Sequence, residues 1–593
     1  MSPACLSPNA LHVLESRYLR RKDHDTRRET PDELFRRVAK AVSQAELLHG
    51  GTRQAEKWEG DFYQLLSSLD FLPNSPTLAN AGTARGQLSA CFVIPIEDTM
   101  EGIFEAVKVT ALVQRTGGGT GFSFSKLRPK ADLVRSTGGE ASGPVSFMKI
   151  FDCATENIKQ GGMRRGANMG VLSVHHPDIV EFIDAKRGEM ALRNFNLSVG
   201  VTDEFMEAVR QDDSYSLIHP RTAESIGKRR AKEVFQHIVD AAWATGDPGL
   251  IFVDTMERAN PTPRLGRLEA TNPCGEIPLL PNESCNLGSI NLSHMLKAQD
   301  RGVEIDWEKL RDCVHKAVRF LDDVIEVNHF PTPETAQASR GNRKIGLGVM
   351  GFAEMLIRLG VSYDSDAAVA WADRLMRFVS VESLNASRRL AEERGVFPNW
   401  EASVFHARGI RVRNATRTAI APTGTIGIIA GTTASIEPLF ALAYRRQHVL
   451  DEETLFEVNP VFLAHLQRAG LDHQALVRAI HAKGRLGNLE QVPDDLKRLF
   501  VTALEIPAER HLLVQAAFQK HVDNSVSKTI NLPGEATVED VARAYWRAWE
   551  LELKGITVYR YGSKTTQVLE LGADEEASYY DHASKCDPGE CRV

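Results

Sequence analysis

Apolar positions recur at a spacing of four at Leu34, Val38 and Val42, which predicts a helix with one buried face. The segment Thr30-Pro31-Asp32-Glu33 supplies its start: Thr30 as cap, Pro31 in the first turn, and Glu33 completing a capping box. Residues 10 to about 70 read as helical throughout. The texture then changes. Short apolar runs at residues 91–96, 168–174 and 197–201 alternate with helical patterns at 204–209 and 231–244, with glycine and proline at the joins. That alternation predicts an α/β body over residues 71 to about 440. From 445 to about 530 the pattern reads as mainly helical, and Asn531-Leu532-Pro533 ends it before a further helix at 538–550. Beyond about residue 565 the chain is polar and acidic, with Asp574-Glu575-Glu576 and Asp581, and reads as a mobile tail.

Composition narrows the class. Of 593 residues, 42% are hydrophobic and 25% charged, as in ordinary globular proteins with a sizeable core. The formal charge of −7 gives no reason to expect nucleic acid or an anionic membrane as the main partner. No apolar run approaches the roughly 20 residues of a membrane span. The first residues, Met1-Ser2-Pro3-Ala4-Cys5, lead into Ser16-Arg17-Tyr18-Leu19-Arg20-Arg21-Lys22, which lacks the apolar core of a signal peptide. A cytoplasmic protein is expected. The eight cysteines (Cys5, Cys91, Cys153, Cys274, Cys285, Cys313, Cys586 and Cys591) are too few for a disulfide scaffold and are expected to be thiols, or transient catalytic disulfides.

The chemistry concentrates in Asn272-Pro273-Cys274-Gly275-Glu276-Ile277-Pro278-Leu279 and Ser284-Cys285-Asn286-Leu287-Gly288. Pro273 and Gly275 flank Cys274, so the cysteine belongs in a tight turn, with a carboxylate two residues on. One reading is a buried structural loop with incidental thiols. The other is a reactive turn, because Cys, Glu and Asn crowd a stretch that no helical or strand period explains. Zinc is a third reading, but Cys274 and Cys285 lack the close pairing of common structural zinc sites, and Cys586-x4-Cys591 has no second pair beside it. A redox dithiol on a movable arm suits the terminal pair better, since it can reach another site and exchange disulfides.

The segment 272–292 resembles the active-site finger loop of ribonucleotide reductases. Further landmarks follow in family order: Phe71-Leu72-Pro73-Asn74-Ser75-Pro76-Thr77-Leu78-Ala79-Asn80-Ala81-Gly82, Leu88-Ser89-Ala90-Cys91-Phe92, Arg115-Thr116-Gly117-Gly118-Gly119-Thr120-Gly121, Gln160-Gly161-Gly162-Met163-Arg164-Arg165-Gly166-Ala167-Asn168-Met169-Gly170 and Ala421-Pro422-Thr423-Gly424-Thr425-Ile426-Gly427. The resemblance spans residues 15 to 565.

This resemblance implies roles. Cys274 is expected to carry the thiyl radical that takes the 3′-hydrogen of the substrate ribose. Glu276 accepts the 3′-hydroxyl proton, and Asn272 hydrogen-bonds the ribose. Cys91 and Cys285 form the reducing dithiol. Cys586 and Cys591 on the tail renew it, and are themselves renewed by thioredoxin or glutaredoxin. Pro422, Thr423, Gly424 and Thr425 resemble the substrate-phosphate loop, with Thr77, Ser89 and Gly118 beside it. Asp98, Arg128, Arg164 and Arg165 match effector positions, and residues 160–168 resemble the loop that links a bound deoxynucleotide to substrate choice. Relatives with that effector site dimerise across it, so a homodimer is expected.

The radical generator is read from Thr557-Val558-Tyr559-Arg560-Tyr561-Gly562-Ser563, which resembles the adenosylcobalamin-dependent class, as do Gly341-Asn342-Arg343-Lys344-Ile345-Gly346 and Ser525-Val526-Ser527-Lys528-Thr529-Ile530-Asn531. The adjacent tyrosine pair of the class served by a separate metal subunit is not at this position. Tyr561 departs from the pattern, which has an acidic residue there. No glycyl-radical motif is read near the end. The fold implied is an α/β barrel of ten strands in two antiparallel halves of five, with the Cys274 loop threaded through it. The division expected is a helical region (1–70), the catalytic barrel (71–565) and a redox-active tail (566–593). Two alternatives remain open: the large subunit of a metal-dependent reductase, and a non-catalytic nucleotide-binding regulator.

Overall fold

The computed structural model describes the chain apart from residues 1–5, 21–27, 135–137, 159–165, 188–191, 300–301, 451–452, 469, 472–475, 477–485, 487–488, 490–491, 564–568 and 571–593. The N-terminal region is helical, as its periodicity predicts: α1 (Pro8–Arg17), α2 (Pro31–Ser43) and α3 (Leu47–Ser67). The Thr30 capping box forms in both directions, with Glu33 donating from its backbone to Thr30 Oγ1 at 3.2 Å and Thr30 N donating to Glu33 Oε2 at 2.9 Å. Leu34, Val38 and Val42 are buried together on one face of α2.

The next part is a barrel. Five strands run parallel in chain order: β1 (Cys91–Val93), β2 (Gly119–Ser123), β3 (Asn168–Ser173), β4 (Phe195–Val201) and β5 (Gly249–Phe252). The other half contains β6 (Ser284–Asn291), β7 (Ile345–Met350), β8 (Thr529–Leu532) and β9 (Gly555–Arg560). β6 pairs with β1 antiparallel and with β7 parallel, while β9 pairs with β5 antiparallel and with β8 parallel. Parallel bridges Leu347↔Thr418 and Ile420↔Val526 place residues 418–420 between β7 and the approach to β8. That stretch is the tenth stave and closes the ring. The expected two halves of five are thus observed. The short strand Phe71–Pro73 also pairs with β6.

Helices cover the outside. α4 (Met100–Gln114) and α5 (Pro144–Asn157) lie by the first half, and α6 (Trp307–Val327), α7 (Asp366–Arg394) and the short α8 (Gly424–Ala430) by the second. A buried ion network binds the N-terminal region to this shell: Glu46 meets Arg319 of α6 at 2.5 Å and Arg394 of α7 at 2.6 Å, and Arg394 also reaches Asp323 at 2.6 Å. Breaking such a network at one member leaves an uncompensated charge, which costs about 3–5 kcal/mol.

The described residues of 441–500, with Leu569 and Glu570, form a separate compact unit. Here the sequence reading needs correction. Its start is not helical but a β-hairpin, Ala443–Leu450 against Glu453–Val458. Arg445 and Arg446 pair further with Glu570 and Leu569. The run Thr454-Leu455-Phe456-Glu457-Val458 is rich in β-branched and aromatic residues, and that strand signal outweighs the weak helical period. Helices Pro460–Arg468 and Asp494–Leu499 follow.

Candidate active site

Residues 270–279 form a narrow hairpin, with Ala270↔Leu279 and Thr271↔Pro278 paired at its base. Its tip is turned by Gly275, whose φ of 82° no β-carbon tolerates well, and by a Gly275 N to Asn272 O bond of 3.0 Å. Asn272 organises the tip: its Oδ1 accepts from Ile277 N at 3.0 Å, and its Nδ2 donates to Glu276 Oε2 at 2.8 Å. The barrel grips the hairpin from both halves. Asn196 of β4 donates to Pro273 O at 2.7 Å, and Ser525 N donates to Glu276 O at 2.8 Å.

The hairpin fits inside because β2 presents glycines to it. A β-carbon at Gly121 would lie 1.7 Å from Thr271 O, and one at Gly119 would lie 2.9 Å from Pro273 Cγ. A glycine pair two apart in a strand is the sequence signature of such a close approach. Ile277 and Leu279 complete an apolar lining with Val93, Val171, Ile251 and Leu287.

Three thiols and a carboxyl meet around this tip. Cys91 and Cys285 stand directly opposite each other in the antiparallel β1–β6 ladder. Opposed residues have Cα atoms roughly 4.5–5.5 Å apart, within the roughly 4.4–6.8 Å a disulfide spans. Both are buried thiols. Cys285 donates to Asn286 O at 3.3 Å and Lys344 O at 3.5 Å. Burial pushes both thiols well above their ordinary range, with the nearby Glu276 charge adding to the effect, so they remain protonated at neutral pH. Cys274 is exposed, whereas Glu276 two residues later is buried. Burial raises the Glu276 carboxyl from 4.5 to about 7, and the Asn272 amide partly opposes that rise. Such a group exchanges a proton readily near neutrality.

The residues expected to meet the substrate phosphates have the following surroundings. Thr423 adopts φ 51° and its Oγ1 accepts from Ser435 N at 2.6 Å, which fixes the turn before α8. Thr425 Oγ1 accepts from Arg17 Nη1 at 3.4 Å. Thr77 and Ser89 are buried and engaged within the protein: Thr77 donates towards Asn74 Oδ1 and Leu88 O, and Ser89 Oγ accepts from Asn328 and from Ser284, the neighbour of Cys285. Gly118 packs so closely that a β-carbon would lie 2.6 Å from Val113 and 2.7 Å from Phe92.

At the expected effector position Asp98 and Arg128 clamp each other, with Arg128 Nε 3.0 and 2.9 Å from the two carboxylate oxygens and Nη2 donating to Asp98 O at 3.0 Å. Arg164, Arg165, Cys586, Cys591 and Cys5 lie outside the described residues. Cys153 is exposed on α5, and Cys313 is buried with its thiol 3.8 Å from Asp70 O. Reading by motif missed Arg17, Asn196 and Ser525. The Gly119-Thr120-Gly121 spacing signals the inserted hairpin that Asn196 and Ser525 hold, and nothing in the sequence signals the contact of Arg17 with Thr425.

Fold and site together define an oxidoreductase that sets a loop-borne thiol beside a buried dithiol and a carboxyl of near-neutral pKa. The chain belongs to the ribonucleotide reductase family: residues 89–559 match the ribonucleotide reductase barrel domain and residues 5–86 the ribonucleotide reductase all-alpha domain. It is 49% identical to the vitamin B12-dependent ribonucleoside-diphosphate reductase of Thermoplasma acidophilum, over 96% of this chain and 81% of that one. The enzyme of the same description from Mycobacterium tuberculosis (strain CDC 1551 / Oshkosh) is 51% identical, with the same coverage. In fold the chain is similar to the alpha subunit of the class Id ribonucleotide reductase of Actinobacillus ureae, with a TM-score of 0.77 at 24% identity over 95% of this chain and 99% of that one.

Proposed function

We propose that this chain reduces ribonucleoside diphosphates to 2′-deoxyribonucleoside diphosphates by a thiyl-radical mechanism dependent on adenosylcobalamin. The observation that carries the reading is the opposition of Cys91 and Cys285 beneath the hairpin that bears Cys274 and Glu276. A dithiol held in register can give up two electrons and two hydrogens and close to a disulfide without rearranging its strands.

The cobalamin fits the open side of the hairpin. Cys274 is exposed, and among the described residues a β-carbon at Gly275 would meet nothing within 4 Å, so the adenosyl group would lie on this edge of the hairpin. When bound, adenosylcobalamin supplies a carbon-centred radical able to take the hydrogen atom of a thiol. The chain's own residues do the rest. Cys274, as a thiyl, takes the 3′-hydrogen of the ribose. Glu276 takes the 3′-hydroxyl proton and returns it to the 3′-oxygen at the end, while the 2′-hydroxyl leaves as water with a proton from the dithiol, whose second hydrogen goes to C2′. Cys91 and Cys285 deliver the two hydrogens that balance this loss and become a disulfide. Cys274 then returns its hydrogen to C3′. Asn272 orients both Glu276 and the ribose.

The substrate diphosphate lies on Pro422, Thr423, Gly424 and Thr425, with Thr77, Ser89 and Gly118 shaping the floor of that end. Cys586 and Cys591 reopen the disulfide and take electrons from thioredoxin or glutaredoxin. Residues 1–70, 71–565 and 566–593 then divide the labour: a helical flank, the catalytic barrel with the separate unit at 441–500 inserted in its sequence, and a redox tail. A deoxynucleotide effector is read at Asp98, Arg128, Arg164 and Arg165, at a homodimer contact. Met100 and Phe104 support that contact: they are 56% and 49% exposed on the same face of α4, just after Asp98. Among the described residues no helix is long and apolar enough to cross a membrane.

The test is reduction of CDP by the purified chain in the dark, with a small dithiol, with and without adenosylcobalamin. Turnover that requires the cofactor and no second protein is expected. Turnover only with a metal-bearing partner would replace the cobalamin reading. Cys274→Ser is expected to bind CDP as the parent does and to show no turnover; equal turnover would remove the radical assignment.

A further inference from the structure

A buried ion pair lies beside Cys285, and the mechanism above does not use it. Glu283 stands two residues before the cysteine, and Lys344 is the residue just before β7; both are buried. Lys344 Nζ donates to Glu283 Oε2 at 2.6 Å. The same carboxylate accepts from Leu280 N at 2.6 Å and from Asn342 Nδ2 at 2.5 Å. It therefore joins the exit of the hairpin to the start of β7, next to the strand that carries Cys285. Lys344 meets the cysteine through its backbone as well: its carbonyl accepts from Cys285 Sγ at 3.5 Å, and Asn286 O does so at 3.3 Å. Only an S–H can donate to a carbonyl, so these acceptors favour the protonated thiol.

We propose that Glu283 and Lys344 are positioning residues for Cys285: as a matched pair they hold it as a thiol, so that the dithiol keeps both hydrogens until the substrate takes them. This rests on the reading of Cys91 and Cys285 as the reducing dithiol. A thiolate, not a thiol, attacks a disulfide. Burial itself raises the Cys285 thiol; the Lys344 ammonium favours its ionised form, and the Glu283 carboxylate opposes the ammonium. With the cation unmatched, any small disulfide that entered could spend the dithiol. The Cys285 thiolate would displace one small thiolate to give a mixed disulfide, and Cys91, giving up its proton, would displace the other. Two protein thiols and one small disulfide would become a protein disulfide and two small thiols, with no substrate reduced. The other charged or titratable groups about Cys285 are Cys91 opposite it on β1, Glu276 on the hairpin and, on the side of α6, Asp322, which Arg343 matches at 2.8 Å. The competing account is that the pair only fastens the hairpin to β7. Losing either member would then loosen the site in the same sense, whatever the sign of the charge left behind.

The experiment measures how fast hydroxyethyl disulfide closes the Cys91–Cys285 bond in the full chain, without substrate or cobalamin, by peptide mapping between pH 7 and 9. Cys586 and Cys591 are changed to Ser throughout, so that the tail takes no part. The starting chain is expected to react slowly, faster as pH rises. Glu283→Gln leaves the cation unmatched and should react about three- to ten-fold faster, because each tenfold gain in thiolate is offset about threefold by weaker nucleophilicity. Lys344→Met leaves the anion and should react slower by a similar factor. The double variant, Glu283→Gln with Lys344→Met, should return to within about twofold of the starting rate. Opposite shifts with restoration support the proposal. Single variants that move in the same direction, or neither of which moves, overturn it. If Lys344→Met does not fold, the comparison of Glu283→Gln with the double variant decides: adding Lys344→Met must slow the reaction, and an undiminished rate overturns the proposal. A starting chain that forms no Cys91–Cys285 bond removes the dithiol reading instead, and that failure is seen before any member of the pair is changed.

Discussion

Replacing Glu276 by Gln separates the carboxyl's charge from its shape. The amide fills the same space and its oxygen can still accept from Asn272 Nδ2, now 2.8 Å from Glu276 Oε2. Only ionisation is lost. Burial holds the carboxyl at about 7 rather than 4.5, a difference of roughly 3 kcal/mol at about 1.4 kcal/mol per pH unit. The sign follows from proton uptake. Below 4.5 the group is protonated in folded and unfolded chains alike. Between 4.5 and about 7 the unfolded chain ionises and the folded one does not, so the parent loses stability as pH rises. Above about 7 both are ionised and the loss is complete. Urea unfolding at pH 5, 6, 7 and 8, followed by tryptophan fluorescence, should therefore show Glu276→Gln gaining on the parent across the window, by up to about 3 kcal/mol in total. In the parent, kcat/KM should climb with pH through about 7, as the base form fills. The variant should lose at least about a hundredfold in kcat, the contribution of a placed general base, and bind CDP normally. A stability gap that stays flat from pH 5 to 8 would refute the desolvated carboxyl. Undiminished turnover would refute its role as the base.

Three other outcomes follow from the same geometry. Gly121→Ala forces a β-carbon against Thr271 O; the hairpin must shift, at a cost of about 1–3 kcal/mol or more, and kcat should collapse together with a change in the alkylation rate of Cys274. With Cys586 and Cys591 changed to Ser and no external reductant, one turnover should consume two thiols and yield a Cys91–Cys285 cross-link on peptide mapping, whereas a further Cys285→Ser should yield none; a cross-link between other cysteines in that background would displace the pair from the mechanism. Changing Cys586 and Cys591 to Ser should stop thioredoxin-driven turnover while leaving a small dithiol partly effective, and unchanged thioredoxin-driven rates would exclude the tail from the electron path.

Much of this protein is legible from local pattern, because local physics decides it. The Thr30 cap and the Leu34, Val38, Val42 face need no distant partner, and they form as read. The helix at 538–550 is likewise observed as Val538–Glu550. The hairpin at 443–458 was misread, since a short run can carry helical spacing while its residue types favour a strand. The barrel depended on resemblance, because its closure uses single bridges at Leu347↔Thr418 and Ile420↔Val526 that leave no periodic trace. The reactive turn stood out through crowded Cys, Asn and Glu, yet its supports did not. Asn196 lies 77 residues from the carbonyl it holds, and Arg17 lies 408 from its threonine. Contacts across such separations are set by the fold as a whole, and no window along the chain contains them.

The opposition of Cys91 and Cys285 also has a meaning for how the molecule remembers. Both thiols sit on rungs of a ladder that exists whether or not they are joined. On the mechanism proposed above, a spent molecule and a fresh one therefore differ by one covalent bond and scarcely at all in outline. A reductant has no change of shape to recognise on the outside; it can learn which molecules are spent only by reaching into the barrel and trying the bond. Such an enzyme keeps its history in chemistry alone, and recharging becomes a matter of sampling, with its rate set by how often a dithiol visits the interior.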